Sequence, residues 1–309
     1  MLRHDSTATS RNVRGGRHLV TLLLLSALCL TAGCQKQTET KGAAEQTDQQ
    51  AGPANQNNTM LSQQGPGSTA SALDRGDLKL RYQSRRNVRA GAEAHAVDSN
   101  LQTLRQLVNN INDRIALPFD ITVAFEDCQD ADAYYDHETH QLTICHQLID
   151  EYYDLFSHKI KDRVRLDEAV RGALASTFFH EVGHALVAAW QLPITGREED
   201  AVDQLSTLVL LNSSEKGEQM AMDGAVAFKL YAEPEKGEEK IYWDEHSLDE
   251  QRFYETICLV YGHDPEKYAY LVKEGTLPEE RAELCREDYS KVARSWRQLL
   301  SPYLKQPAQ

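Results

Sequence analysis

Val170, Leu174, Phe178, Val182 and Leu186 recur at every fourth position of the chain. That spacing lays them along one face of a helix, and it predicts a single helix over 165–191, closed by Leu192-Pro193-Ile194. A stripe this long must be covered, so the fold has to be assembled around it. The same segment reads His180-Glu181-Val182-Gly183-His184. Residues four apart on a helix lie one turn apart on one side, so His180 and His184 present two imidazoles to one ion. Glu181 lies about 100° round from His180, within reach of a water at that ion without having to bind the ion itself. This is the mechanical content of the H-E-x-x-H pattern.

A catalytic zinc takes three protein ligands and keeps one position open, so a third ligand is required. After Leu192-Pro193-Ile194 the chain must turn back. Thr195-x-x-Glu198 has the form of a capping box and predicts a helix from about residue 196, with Asp200 pointing elsewhere. Its first two turns run antiparallel past His184 and carry Glu199 and Asp203. Counting turns along both helices brings these two carboxylates about equally close to the histidines.

The other elements follow from periodicity and punctuation. Residues 77–83, 119–126 and 141–145 read as strands; 98–115 and 146–157 read as helices. Ser247-x-x-Glu250 has the form of a second capping box opening a helix through Tyr261, and Pro265 and Pro278 mark the starts of two more. The predicted class is α+β, with a small antiparallel sheet or hairpin followed by a mainly helical, zincin-like domain built on the H-E-x-x-H helix.

The N-terminal part has a different character. Arg3, Arg11, Arg14 and Arg17 precede an apolar run from Leu19 to Leu30 and the small residues Ala32-Gly33 before Cys34. A basic flank, a short apolar core and small residues at the cut form an export signal over 1–33. The Ala-Gly-Cys ending resembles the bacterial lipoprotein box, which implies lipidation of Cys34, a membrane anchor and a place in the cell envelope. Residues 34–76 are rich in Gln, Thr, Asn, Gly and Ser without an aromatic, a composition that predicts a disordered tether. Residues 77–305 form the domain. The whole chain carries a net charge of −14, and phosphate binding needs clustered cations, so nucleic acid is excluded as a partner. Cys128, Cys145, Cys258 and Cys285 fall in the domain. An even count in an exported chain favours disulfides: Cys128–Cys145 is expected to bridge a hairpin, and Cys258–Cys285 to join two helical runs.

H-E-x-x-H followed by E-x-x-x-D resembles the gluzincin metallopeptidases. The segments "FHEVGHALVAAWQLPITGREEDAVDQL", "DCQDADAYYDHETHQLTICH" and "DEHSLDEQRFY" are similar to a bacterial family of exported proteins, a domain of unknown function grouped with the metallopeptidases. The resemblance implies zinc on His180, His184 and Glu199. It makes Asp203 the carboxylate that orients a ligand histidine and Glu181 the general base, and it makes His246 the group that stabilises the oxyanion. A peptide or protein is then the substrate. The competing expectation is an envelope lipoprotein that binds metal without turnover. His137 and His140 read as exposed turn residues; Tyr134 and Tyr135 suit either the cleft edge or hairpin packing.

Overall fold

The computed structural model describes residues 66–85, 92–233 and 240–305. The expected export signal, Cys34 and the tether as far as residue 65 lie outside these. The class is α+β, as expected: a four-stranded sheet near the start of the domain and helices thereafter. The sheet comprises β1 (Leu78–Tyr82), β2 (Ile121–Glu126), β3 (Ala133–Asp136) and β4 (Gln141–Cys145), in the order β1-β2-β4-β3.

The sheet is mixed, which corrects the expectation of an antiparallel one. β1 pairs parallel with β2, and β2 parallel with β4; the hairpin β3–β4 supplies the antiparallel pairing. The cause is the crossover helix α2 (Ala92–Asn112), which carries the chain back so that β2 starts at the same end as β1. After β2 the chain goes out to the edge as β3 and returns through the turn at 137–140, and β4 slots between β2 and β3. The inner strands are buried in nearly continuous runs, Val123-Ala124-Phe125 and Leu142 to Cys145, as suits strands covered on both faces.

The Cys128–Cys145 disulfide exists, but it spans no hairpin. Because β2 and β4 run parallel, their C-terminal ends share one edge of the sheet, and the bridge ties Cys128 just beyond β2 to the last residue of β4. Cys258–Cys285 joins two helices, α7 (Asp249–His263) and α9 (Glu279–Leu300), as expected.

Helix α3 (His146–Ser157) leads into α4 (Arg163–Trp190), the central helix. The whole stripe from Val170 to Leu186 is buried, and so are Ala173, Ala175, Phe179 and Ala185 on other faces. Asp162 caps its start by accepting from Arg165 N at 2.8 Å. Its end is set by Gln191, which takes the left-handed conformation (φ 48°), while Leu192 N donates back to Val187 O at 3.0 Å. The chain then folds back into α5 (Glu198–Leu211).

Neither predicted capping box forms. α5 begins at Glu198 behind Arg197, and no side chain caps it; the Glu198 carboxylate has another partner, described below. α7 begins behind Leu248, whose N–H donates to Gln251 Oε1 at 3.2 Å. Ser247 instead donates to Asp200 at 2.7 Å and ties the loop before α7 onto α5. Pro278 directly precedes α9, whereas Pro265 lies in a turn ahead of the short α8 (Ala269–Lys273). Two helices went unread in the sequence. α6 (Glu215–Tyr231) packs against α4. α1 (Pro66–Leu73) lies within the expected tether; Ala70 is buried, and Asp74 pairs with Lys305 at 2.7 Å.

Candidate active site

His180 and His184 project from one side of α4 towards α5, and α5 answers with the same four-residue period in the opposite direction. His184 meets Glu198 and Glu199; His180, one turn deeper, meets Glu199 and Asp203. The close approach depends on Gly183, where an added Cβ would lie 2.7 Å from Val202 Cβ of α5. The ligand atoms of His180, His184 and Glu199 all lie within 4.8 Å of one another.

Each imidazole is oriented from behind by a carboxylate. His180 Nδ1 donates to Asp203 Oδ1 at 2.7 Å, His184 Nδ1 to Glu198 Oε1 at 2.8 Å, and His246 Nδ1 faces Asp244 Oδ1 at 3.3 Å. A neutral imidazole that donates through Nδ1 turns the bare lone pair of Nε2 inward. The three Nε2 atoms surround Glu199 Oε2, at 3.1 Å from His180, 3.3 Å from His184 and 3.0 Å from His246. The His180 and His184 Nε2 atoms are themselves 3.2 Å apart. Glu199 Oε2 is buried and has no partner of hydrogen-bonding geometry.

Lone pairs and an anionic oxygen crowded this closely repel one another unless a cation joins them. The ionisation of the groups shows that demand. Burial lowers the basicity of His180, but the Asp203 and Glu199 carboxylates outweigh it and hold the imidazole up at about 9. Burial raises Glu199, and the three histidines more than reverse this, taking it well below the usual carboxylate range. A proton and a metal ion compete for these same lone pairs. Two imidazole nitrogens and one carboxylate oxygen are a donor set suited to zinc in a site with one position left open, so the residues present fit a divalent metal.

Glu181 stands apart from this cluster. It is 5% exposed, its carboxylate lies 3.9 Å from His180 Nε2, and burial pushes its carboxyl up to about 7, only partly offset by His180 and His184. It faces a cleft of about 500 Å³ that His180, His184, Glu199 and His246 also line.

A family model described as "putative metallopeptidase" matches residues 82–300. The chain belongs to this family. No curated protein and no solved structure matches it. Membership in a metallopeptidase family implies a metal and a peptide substrate, and the matched span contains every residue of the cleft.

Tyr134, Tyr135 and His137 line the cleft of this family member from β3 and the turn after it, whereas His140 stacks on Phe119 with ring centroids 3.9 Å apart. Two residues with a place in the site went unread in the sequence. Glu198, expected to complete a capping box, holds His184 instead. Arg252 of α7 donates to both oxygens of Asp203, at 2.7 and 2.9 Å. With His180 it holds Asp203 down at about 2 against the effect of burial. Nothing local marks Arg252, because it lies 49 residues from its partner.

Proposed function

We propose that this chain is a zinc-dependent endopeptidase, held at the bacterial cell envelope by a lipid on Cys34. His180, His184 and Glu199 bind the metal, Asp203 orients His180, and Glu181 is the general base. The observation that carries the reading is the convergence of three imidazole Nε2 atoms on the Glu199 Oε2 oxygen, beside the buried Glu181 carboxylate, which pairs with no Lys or Arg among the described residues. When bound, zinc supplies polarisation of the scissile carbonyl and acidification of the attacking water.

The chain's own residues do the rest. β3 is an edge strand that lines the cleft, so a substrate in extended form has backbone groups to pair with on its open side. Glu181 Oε1 accepts a proton from the attacking water and returns it to the leaving amine nitrogen. Its raised carboxyl, close to neutrality, suits both transfers. His246, on the rim and 41% exposed on its side chain, is made more basic by the Glu199 carboxylate; as the imidazolium it donates from Nε2 to the carbonyl oxygen as that oxygen gains negative charge. Arg197 steadies its loop by donating to the backbone oxygens of Asp244 and His246.

Glu181→Gln tests the reading: it is expected to retain zinc and cut no member of a broad peptide mixture that the unaltered chain cuts. Equal cutting by the two proteins would refute the mechanism. Metal binding without turnover has one observation in its favour, since His246 Nε2 approaches Glu199 as closely as the other two imidazoles do and would close the site as a fourth ligand. His246→Ala separates the two: the peptidase keeps its zinc and slows, whereas a closed site loses much of its affinity. For the anchor, Cys34→Ser is expected to release the protein from membranes, and mass spectrometry of the mature N-terminal peptide to show acyl chains on Cys34.

A further inference from the structure

A second cavity, of about 210 Å³, opens beside Glu181 between α3, α4, α6 and α7. His180, Glu181, Asp132, Ala133 and His246 border both this cavity and the cleft, so the two spaces meet at the reacting centre. Small and apolar groups line much of it, among them Leu148, Ala173, Ala227 and Phe228. Gly224 lets α6 come so near α4 that an added Cβ would sit 2.5 Å from Ser176 Oγ.

The charges around this space do not balance. Arg252 is the one Lys or Arg among the described residues that line it, and it is already committed. It donates twice to Asp203, and its guanidinium lies over the Phe228 ring, 4.1 Å from the centroid. Glu151 on α3 and Asp249 on α7 also face the space. Asp249 comes no nearer to Arg252 than 3.9 Å. Glu151 has the Tyr231 hydroxyl, a neutral donor, whose phenol is raised far above its usual range by burial and by the nearby Tyr152, Glu151 and Asp249. Burial likewise raises Asp249. The open cleft adds Glu198 and Glu245 to the shared Asp132, and no Lys or Arg lines it among the described residues.

We propose that this cavity is a specificity pocket that receives a lysine or arginine side chain next to the scissile bond. Its aliphatic stem lies along Leu148, Ala173 and Ala227, and its charged end lies between Glu151 and Asp249. An apolar side chain there strips water from two carboxylates and gives nothing back, and an acidic one is repelled. A long cationic side chain matches both the apolar walls and the charged end. The proposal rests on the peptidase reading above, because it places the pocket beside the bond that is cut.

Peptides that differ only in having Lys, Arg, Leu or Glu beside a cleavable bond provide the test. The zinc-loaded chain is expected to favour Lys and Arg over Leu by about tenfold or more in kcat/KM, and to discriminate further against Glu. In Glu151→Gln/Asp249→Asn the Lys-to-Leu ratio falls to about one, with metal content and thermal midpoint recorded to show that the variant is folded. Binding of the same peptides to zinc-loaded Glu181→Gln, followed by calorimetry, gives a readout that needs no turnover. Cleavage without a preference for Lys or Arg, or a preference that survives in the double variant, overturns the pocket and leaves the peptidase reading standing. Absence of cleavage with tighter binding of the Arg peptide than the Leu peptide, lost when Glu151 and Asp249 are also replaced, sinks the peptidase reading and keeps the pocket. Absence of both cleavage and selective binding overturns both.

Discussion

Helix α4 carries two buried polar clusters, one near each end, and they are built on opposite terms. Near its start Arg165 reaches α6 and makes a forked pair with Asp223, which is 2% exposed; one branch is 3.1 Å long, and Gln219 donates to the same carboxylate at 3.1 Å. Both Asp223 oxygens have donors. About one and two turns beyond the middle, His180 and His184 reach α5 and surround an oxygen of Glu199 that has none. The first cluster is complete within the protein and holds α4 to α6. The second is arranged with lone pairs facing inward and needs a cation from outside. Both bury a carboxylate among nitrogen-bearing side chains, and satisfaction separates them: a saturated network reads as structural, and a convergent, unsatisfied one as a binding site.

The largest expected effect breaks the second cluster alone. His180→Ala/His184→Ala removes two of three proposed ligands, and metal analysis is expected to find no bound zinc. Zinc at a hundred times its dissociation constant stabilises the unaltered chain by about 2.7 kcal/mol, and that rise in thermal midpoint vanishes in the double variant. Stoichiometric zinc in it would end the comparison. Glu199→Ala follows, losing zinc under mild chelation while the Arg165 cluster keeps the protein folded.

Arg165→Ala is the reciprocal experiment. It leaves Asp223 buried and short of donors, and it should cost about 2–3 kcal/mol in denaturant unfolding, moderated because Arg165 is partly exposed. Zinc affinity is expected to stay unchanged; a large loss would show that the two clusters are coupled through α4. Asp203→Asn keeps the metal but weakens affinity or rate about 10–100-fold, since it disturbs the orientation of His180 and not a bond to the ion. If Asp203→Asn loses metal and Glu199→Ala retains it, the two carboxylates have exchanged roles. The smallest effect is expected from Ser247→Ala, about 1 kcal/mol for one hydrogen bond to Asp200, with the zinc site intact.

Much of this was legible along the chain because its causes are local. Helical period alone puts Val170 to Leu186 on one face and His180 and His184 on another, and Pro193 bars the helix from running on past it. Where residues have a local role and a distant one, the sequence misled. Glu198 and Ser247 both stand where a capping box would use them, yet His184 and Asp200 take their side chains. A charged hydrogen bond across two helices is stronger than a cap on an accessible helix end.

By itself the sequence determined the central helix, the pair of histidines with Glu181 and the two carboxylates that return to them, set by spacing between residues 165 and 203, and the α+β class, set by the periodicity of the separate segments. The tertiary structure alone decided which carboxylate oxygen meets both imidazoles, because the register of α5 against α4 depends on where Gln191 turns the chain and on how closely Gly183 lets the helices approach. It also decided that β2 and β4 run parallel, and it brought Arg252, Glu151 and Asp249 to the second cavity from α3 and α7. Strand direction depends on the path of the connecting chain, and contacts across many tens of residues leave no periodic trace, so packing of the whole domain has to supply both.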